Sequence, residues 1–301
     1  MKTINEEERK KNLAVTKQLR LIDDDFMTKY FDRFIEGTEY ILRIILRKND
    51  LHVLEVKSQC EYKSLEGRSI KLDIFAKDSN DKIYDIEVQR ADKGAGAKRA
   101  RFHSSMLDTK ILKKRDEFEK LTDTYVIFIT ENDVIGREKP LYHVERKILE
   151  TDELFGDCAH IIYVNGAYNN ADDPVGRLMH DFKCTEYKKM YSPVLAERFR
   201  YFKETSEGND IMCKLIEDRA REIAESRLEE FRKETEKRVA AETEKRVAAE
   251  TEKRVAAETE KRVAAETAKT LLKLNKNTIE EIAMISRLSV EEVEKLSREI
   301  A

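Results

Sequence analysis

Residues 234–265 are four verbatim copies of Glu-Thr-Glu-Lys-Arg-Val-Ala-Ala. The composition is strongly helix-forming, and half of each copy is charged, so no core can take it in. Glu234, Arg238, Glu242, Arg246, Glu250, Arg254, Glu258, Arg262 and Glu266 fall four residues apart with alternating sign, a spacing at which each ion can pair with both neighbours. The valines recur every eight residues. At about 100° per residue their direction drifts by about 80° per copy, so the coiled-coil-like composition comes without a straight heptad seam. A mostly solvated single helix is predicted over 209–274, on the order of 100 Å long. Identical tandem copies change number easily, which suits an adjustable spacer.

The folded domain must therefore lie upstream. Charged residues make up 40% of the 301, against about a quarter in ordinary globular chains, while 40% hydrophobic content supports a core in the remainder. The expected division is a flexible N-terminus over 1–12, a folded domain over 13–208, the long helix, and a small helical module over 275–301. A net charge of −3 gives no global attraction to nucleic acid, so any such binding has to come from a local patch. Cys60, Cys158, Cys184 and Cys213 show no Cys-x-x-Cys spacing and read as reduced, buried thiols rather than a zinc site. With no apolar leader and no run of about eighteen apolar residues, a cytoplasmic protein without membrane contact is expected.

Within 13–208, Tyr30 to Leu46 carries apolar residues at helical spacing, Leu51 to Tyr62 alternates like a strand, and Leu65 to Ser69 forms a turn. Two strand-like runs follow, Lys71 to Ala76 and Lys82 to Gln89, joined by Asp78-Ser79-Asn80-Asp81, whose side chains favour chain reversal. A hairpin centred near Asn80 pairs residues whose numbers sum to about 160, which sets Asp73 opposite Glu87 at a Cβ separation of roughly 5 Å. Acids on a half-exposed hairpin are usually just solvated. Here, however, Asp85, Glu87 and Gln89 share one parity with Ile83 as the sole apolar member, while Ile86 and Val88 point the other way. Like charges facing each other destabilise a sheet unless a counter-ion, a raised pKa or full solvation relieves them. Downstream, Gly94 to Lys114 reads as a helix, and Tyr125 to Ile129 and Ile161 to Val164 as central strands apolar on both faces. The order describes an α/β sandwich. The helix after the hairpin is basic, through Lys98, Arg99, Arg101 and Lys110, and His103 on it reads as a structural hydrogen-bonding residue.

The order of elements, the spacing of Asp73 and Glu87-Val88-Gln89, and the stretches Leu65 to Asp73, Ile86 to Ala91, Arg99 to Asp108 and Phe128 to Asp133 resemble the PD-(D/E)XK nuclease superfamily. Within it, they are similar to the transposase-like recombination-promoting nucleases. The resemblance is sharpest from Glu61 to Arg146 and implies a restriction-endonuclease-like mixed sheet flanked by helices. It also implies a metal-dependent DNA endonuclease of recombination, transposition or mobile-element biology, with Asp73 and Glu87 holding Mg²⁺ or Mn²⁺ and the Val88 carbonyl as a further oxygen ligand. Hard oxygens suit these ions better than zinc. Gln89 stands where the family pattern most often has Lys, and Lys98 or Arg101 is a candidate for the missing charge. Arg90, Lys98, Arg99 and Arg101 are expected to contact nucleic acid, and Asp32, Glu36 or Glu39 is expected to add an acid from an early helix. The competing readings are an inactive nuclease fold kept as a scaffold, and cleavage of RNA.

Thr278-Ile279-Glu280-Glu281 and Ser289-Val290-Glu291-Glu292 are two capping boxes, each opening a short amphipathic helix. The pair is similar to a helix-turn-helix, but Glu291, Glu292 and Glu294 make its second helix poor for phosphate contact. Self-association into a homo-oligomer is the expected use.

Overall fold

The structure, a computed structural model, describes residues 6–62 and 69–300, and the chain divides into two compact units, Met1–Ala220 and Arg221–Ala301. The expected turn at 65–68 lies outside the described residues.

In the first unit, α1 (Glu6–Gln18), α2 (Asp24–Phe31) and α3 (Ile35–Leu46) precede three strands, β1 (Val53–Tyr62), β2 (Ile70–Asp78) and β3 (Ile83–Gln89). Then come α4 (Ala97–Ile111), β4 (Thr124–Thr130), β5 (Leu141–Val144), β6 (Ala159–Asn165), α5 (Pro174–Lys183) and α6 (Pro193–Glu204). The strands form one mixed sheet in the order β1-β2-β3-β4-β6-β5, antiparallel from β1 to β3, parallel across β3, β4 and β6, and antiparallel again at β5.

All seven residues of β4 are buried, as expected of a central strand covered on both faces. Its side chains divide by parity: Ile127 and Ile129 pack with Phe26, Tyr30, Phe31 and Ile41 of α2 and α3, and Val126 and Phe128 with Ala100 and Leu107 of α4. Pro174 and Pro193 open α5 and α6, where Asp173 and Ser192 cap the chain; proline's fixed φ and missing N–H are harmless at that position. The described part of the expected flexible segment, residues 6–12, lies within the helix Glu6–Gln18, where Arg9 pairs with Asp210 at 2.6 Å and Asn12 Nδ2 donates to Glu217 at 3.2 Å.

β2 and β3 pair as the turn predicts, Ile74 with Ile86 and Ala76 with Tyr84. One irregularity lies at Asp73. Leu72 and Ile74 are two residues apart, yet pack into opposite layers, and the neighbouring Gln59 on β1 has a left-handed φ of +54°. β2 therefore turns over at Asp73, where its backbone ladder with β3 stops.

Of the cysteines, Cys184 and Cys213 are buried and Cys60 half-buried, whereas Cys158 is exposed, against expectation, at a left-handed φ of +59°.

α7 (Ser206–Leu274) contains the repeats, and α8 (Ile279–Ser286) and α9 (Val290–Ile300) follow it. The repeat threonines Thr235 and Thr243 donate back to the carbonyls of Phe231 and Val239. The four repeat valines stay 52–54% exposed. Among the described residues no repeat glutamate closes to ion-pair distance on its arginine, in keeping with the few tenths of a kcal/mol such exposed pairs supply. Both capping boxes form, Thr278 with Glu281 and Ser289 with Glu292. Ile282, Ala283 and Val293 close their small core against Ala268 and Leu272 of α7, so the helical pair leans on the end of the rod.

Candidate active site

The candidate cluster forms at the C-terminal end of β3, between the end of the β2 ladder and the start of α4. Beyond the Ile74–Ile86 pair, side chains take over the backbone pairing. The Asp73 N–H donates to Glu87 Oε1 at 3.1 Å, and the Val88 N–H donates to Asp73 Oδ2 at 3.1 Å. Each carboxylate is thus fixed by the backbone of the opposite strand. A strand residue's C=O projects to the same side as its N–H, so the Val88 carbonyl also faces Asp73.

Asp85 and Glu87 are not on a solvated face; both are fully buried beneath α4. Burial first, and then the charge of Glu87 and of Asp24, raises the Asp73 pKa to about 8. Burial followed by the charge of Asp85 raises that of Glu87 to about 7, against the pull of the Asp73 N–H and Arg99. Asp85 is raised well above the usual carboxylate range by burial and by Asp73, and its Oδ1 has no hydrogen-bond partner among the described residues.

α4 supplies the facing groups through Ala100, His103, Ser104 and Leu107 on its buried side. Arg99 Nη2 donates to Glu87 Oε2 at 2.7 Å, Arg99 Nε to His103 Nε2 at 3.3 Å, and His103 Nδ1 lies 2.8 Å from Asp85 Oδ2. Lys98 and Arg101, the expected sources of positive charge, are exposed on the outer side of the same turns. Arg99 is the basic residue that reaches the acids.

The sequence model of PD-(D/E)XK nuclease family transposases matches residues 23–271. The chain belongs to this family. Comparison with curated proteins and with solved structures gave no match. The family's mixed sheet with flanking helices is the fold described above.

In this family member, Gln89 ends β3 with its amide folded onto the following turn, where a Cβ at Gly94 would lie 2.0 Å from Gln89 Oε1. Arg90 bridges Asp23 at 3.1 Å and Glu131 at 3.4 Å, and Arg20 spans the same two acids, so Arg90 stands in an ion network at the rim. Two of the three early acids are engaged elsewhere: Asp32 accepts from Ser58 Oγ at 2.9 Å and Glu39 accepts from the Val53 N–H at 3.0 Å. Glu36 is exposed and lines a cavity with Phe34 and Arg198. Asp24, in the first turn of α2, is the early acid whose charge reaches Asp73. Asp24 was not among the acids expected from the sequence, and nothing local separates it from Asp23 and Asp25 beside it. Asp85 shared the parity of Glu87, and His103 lies four residues from Arg99 on one helix face; those were the signals available for the other two.

The donor set suits a hard divalent cation. The carboxylates of Asp73 and Glu87 and the carbonyl of Val88 are oxygens, and the raised pKa values show that the existing cations leave the acids under-compensated. Asp85, Glu87 and His103 also place ligand atoms within 4.8 Å of one another. This second set is 0–4% exposed, whereas Asp73 is half-buried, so the Asp73 side is the more accessible one. Elsewhere, His180, Asp181 and Cys184 also cluster, but the Asp181 oxygens accept the Tyr191 and Ser192 N–H groups at 2.7 and 2.8 Å.

Proposed function

We propose that the protein is a divalent-cation-dependent endodeoxyribonuclease that hydrolyses phosphodiester bonds in transposition or recombination. The observation that carries the reading is the mutual fixing of Asp73 and Glu87, each held by the other strand's backbone, in a buried setting that penalises two uncompensated negative charges. Asp73, Glu87 and the Val88 carbonyl would hold Mg²⁺ or Mn²⁺, which supplies polarisation of the phosphate and a more acidic attacking water.

The chain's own residues do the rest. The backbone contacts hold both carboxylates in place before substrate arrives, so little reorganisation accompanies the reaction. Lys98 and Arg101 are exposed in the first turns of α4, where the helix N-terminus adds partial positive charge, and they would hold flanking phosphates. Gln89 can orient a water or a phosphate oxygen but contributes no charge. Met284, Ile285 and Val290 remain 83%, 54% and 41% exposed, which favours self-association through the C-terminal helices.

The test is nicking of supercoiled plasmid with Mg²⁺ by wild type, Asp73→Ala and Glu87→Ala, with an RNA of equal length digested in parallel. Wild type should nick and both variants should lose at least 100-fold. Equal rates would overturn the reading, and preferential loss of the RNA would move the substrate class.

A further inference from the structure

We infer that Arg99 supplies the positive charge that Gln89 cannot, and that His103 and Asp85 are the residues that position it. The inference rests on the nuclease reading and assigns a catalytic cation within the same site.

The geometry fixes the roles of the ring nitrogens. An arginine Nε–H can only donate, so its contact at 3.3 Å makes His103 Nε2 an acceptor. The ring proton then sits on Nδ1, 2.8 Å from Asp85 Oδ2. Asp85, His103, Arg99 and Glu87 form one continuous chain of contacts, with the ring 4% exposed and both carboxylates fully buried. A buried acid that orients a histidine, which in turn orients a third group, is a positioning device. The Arg99 side chain is 41% exposed, which opens it to substrate. Of its five N–H donors, Nε is used by His103 and one Nη2 hydrogen by Glu87. Among the described residues Nη1 has no partner, so the outer edge can take two phosphate oxygens side by side while the inner edge stays on Glu87. Arg99 thus acts on the phosphate; His103 and Asp85 act through Arg99.

A guanidinium bonded to Glu87 competes with a bound cation for that carboxylate, so Arg99→Ala should move two readouts in opposite directions. Mn²⁺, titrated calorimetrically without DNA, should bind several-fold tighter. Plasmid nicking at saturating DNA should fall roughly 100-fold, the scale of losing one preorganised charge donor, whereas Lys98→Ala and Arg101→Ala should raise KM and spare kcat. A merely structural role for Arg99 would weaken metal binding along with cleavage. His103→Ala should cost about tenfold in the wild-type background and nothing further in Arg99→Ala, because its effect passes through Arg99. If His103→Ala fails to fold, His103→Leu, which fills the space but offers no acceptor, should show the same tenfold loss, and His103→Gln, which keeps an acceptor for Arg99, should nick within threefold of wild type, with the circular dichroism spectrum as the control; equal rates for Leu and Gln would overturn the positioning role. Arg99→Ala nicking within threefold of wild type while Asp73→Ala is inactive would overturn the inference and leave the nuclease reading standing. If Asp73→Ala also nicks like wild type, the nuclease reading falls and takes the inference with it.

Discussion

Replacing Asp73 with Asn should stabilise the cation-free protein, increasingly so as pH rises. The Asp73 carboxyl titrates near 3.8 in the free chain and at about 8 in the fold, so between those values the folded state holds a proton that the unfolded state has released. Stability is then lost as pH increases, at about 1.4 kcal/mol per pH unit. At pH 7 the interval from 3.8 is about 3 units, which makes the penalty at most roughly 4 kcal/mol. Asn removes the ionisation, and its carbonyl oxygen can still accept the Val88 N–H that Asp73 Oδ2 accepts at 3.1 Å. Urea unfolding in EDTA at pH 4.5, 5.5, 6.5 and 7.5 is the assay. The two proteins should be similar at the lowest pH and separate with each step in favour of Asp73→Asn, and, with EDTA omitted, Mn²⁺ at 100 times its Kd should restore about 2.7 kcal/mol to wild type alone. A gap that does not change with pH, or a wild type more stable than the variant at pH 7.5, would refute the claim that buried acids are left under-compensated.

Three further outcomes follow from single contacts and a fourth from the division of the chain. Gly94→Ala places a Cβ 2.0 Å from Gln89 Oε1, so it should displace the amide and slow nicking while the unfolding midpoint changes little. Lys203 Nζ donates to the carbonyls of Lys17, Leu19 and Thr185 at 2.9, 2.6 and 2.8 Å, and Lys203→Met, measured by urea unfolding, should cost about 3 kcal/mol by leaving them without a donor. Thr278→Ala removes a formed capping box and should cost about 1 kcal/mol, seen as faster amide exchange in α8. Deleting one eight-residue copy from 234–265 should leave nicking of a short duplex unchanged, because the acids lie in the first unit.

How much of this was legible depended on whether a residue's partner was near in sequence. The β2–β3 hairpin was readable because its turn lies between the two strands, and the Ile74–Ile86 pairing follows from that turn alone. β4 and β6 were readable as apolar runs, since a strand covered on both faces needs no periodicity. β5 was not: Leu141–Val144 is four residues long, half-exposed, and defined only by its pairing to β6. The site divides in the same way. Asp73 and Glu87 were brought together by register, but the burial of Asp85 and Glu87 depends on α4 folding over that face. The choice of Arg99 over Lys98 or Arg101 depends on helix phase: Arg99 lies four residues from the buried His103 and donates to it, whereas Lys98 and Arg101 are exposed. Asp24 reaches Asp73 only because α2 packs against the sheet, a contact between distant segments that no local pattern encodes.

Whether Asp73 and Glu87 together hold a divalent cation is decided by calorimetric titration of Mn²⁺ into wild type, Asp73→Asn and Glu87→Gln at pH 7.5. Saturable binding to wild type that both substitutions abolish is the predicted result; equal binding in all three would contradict it.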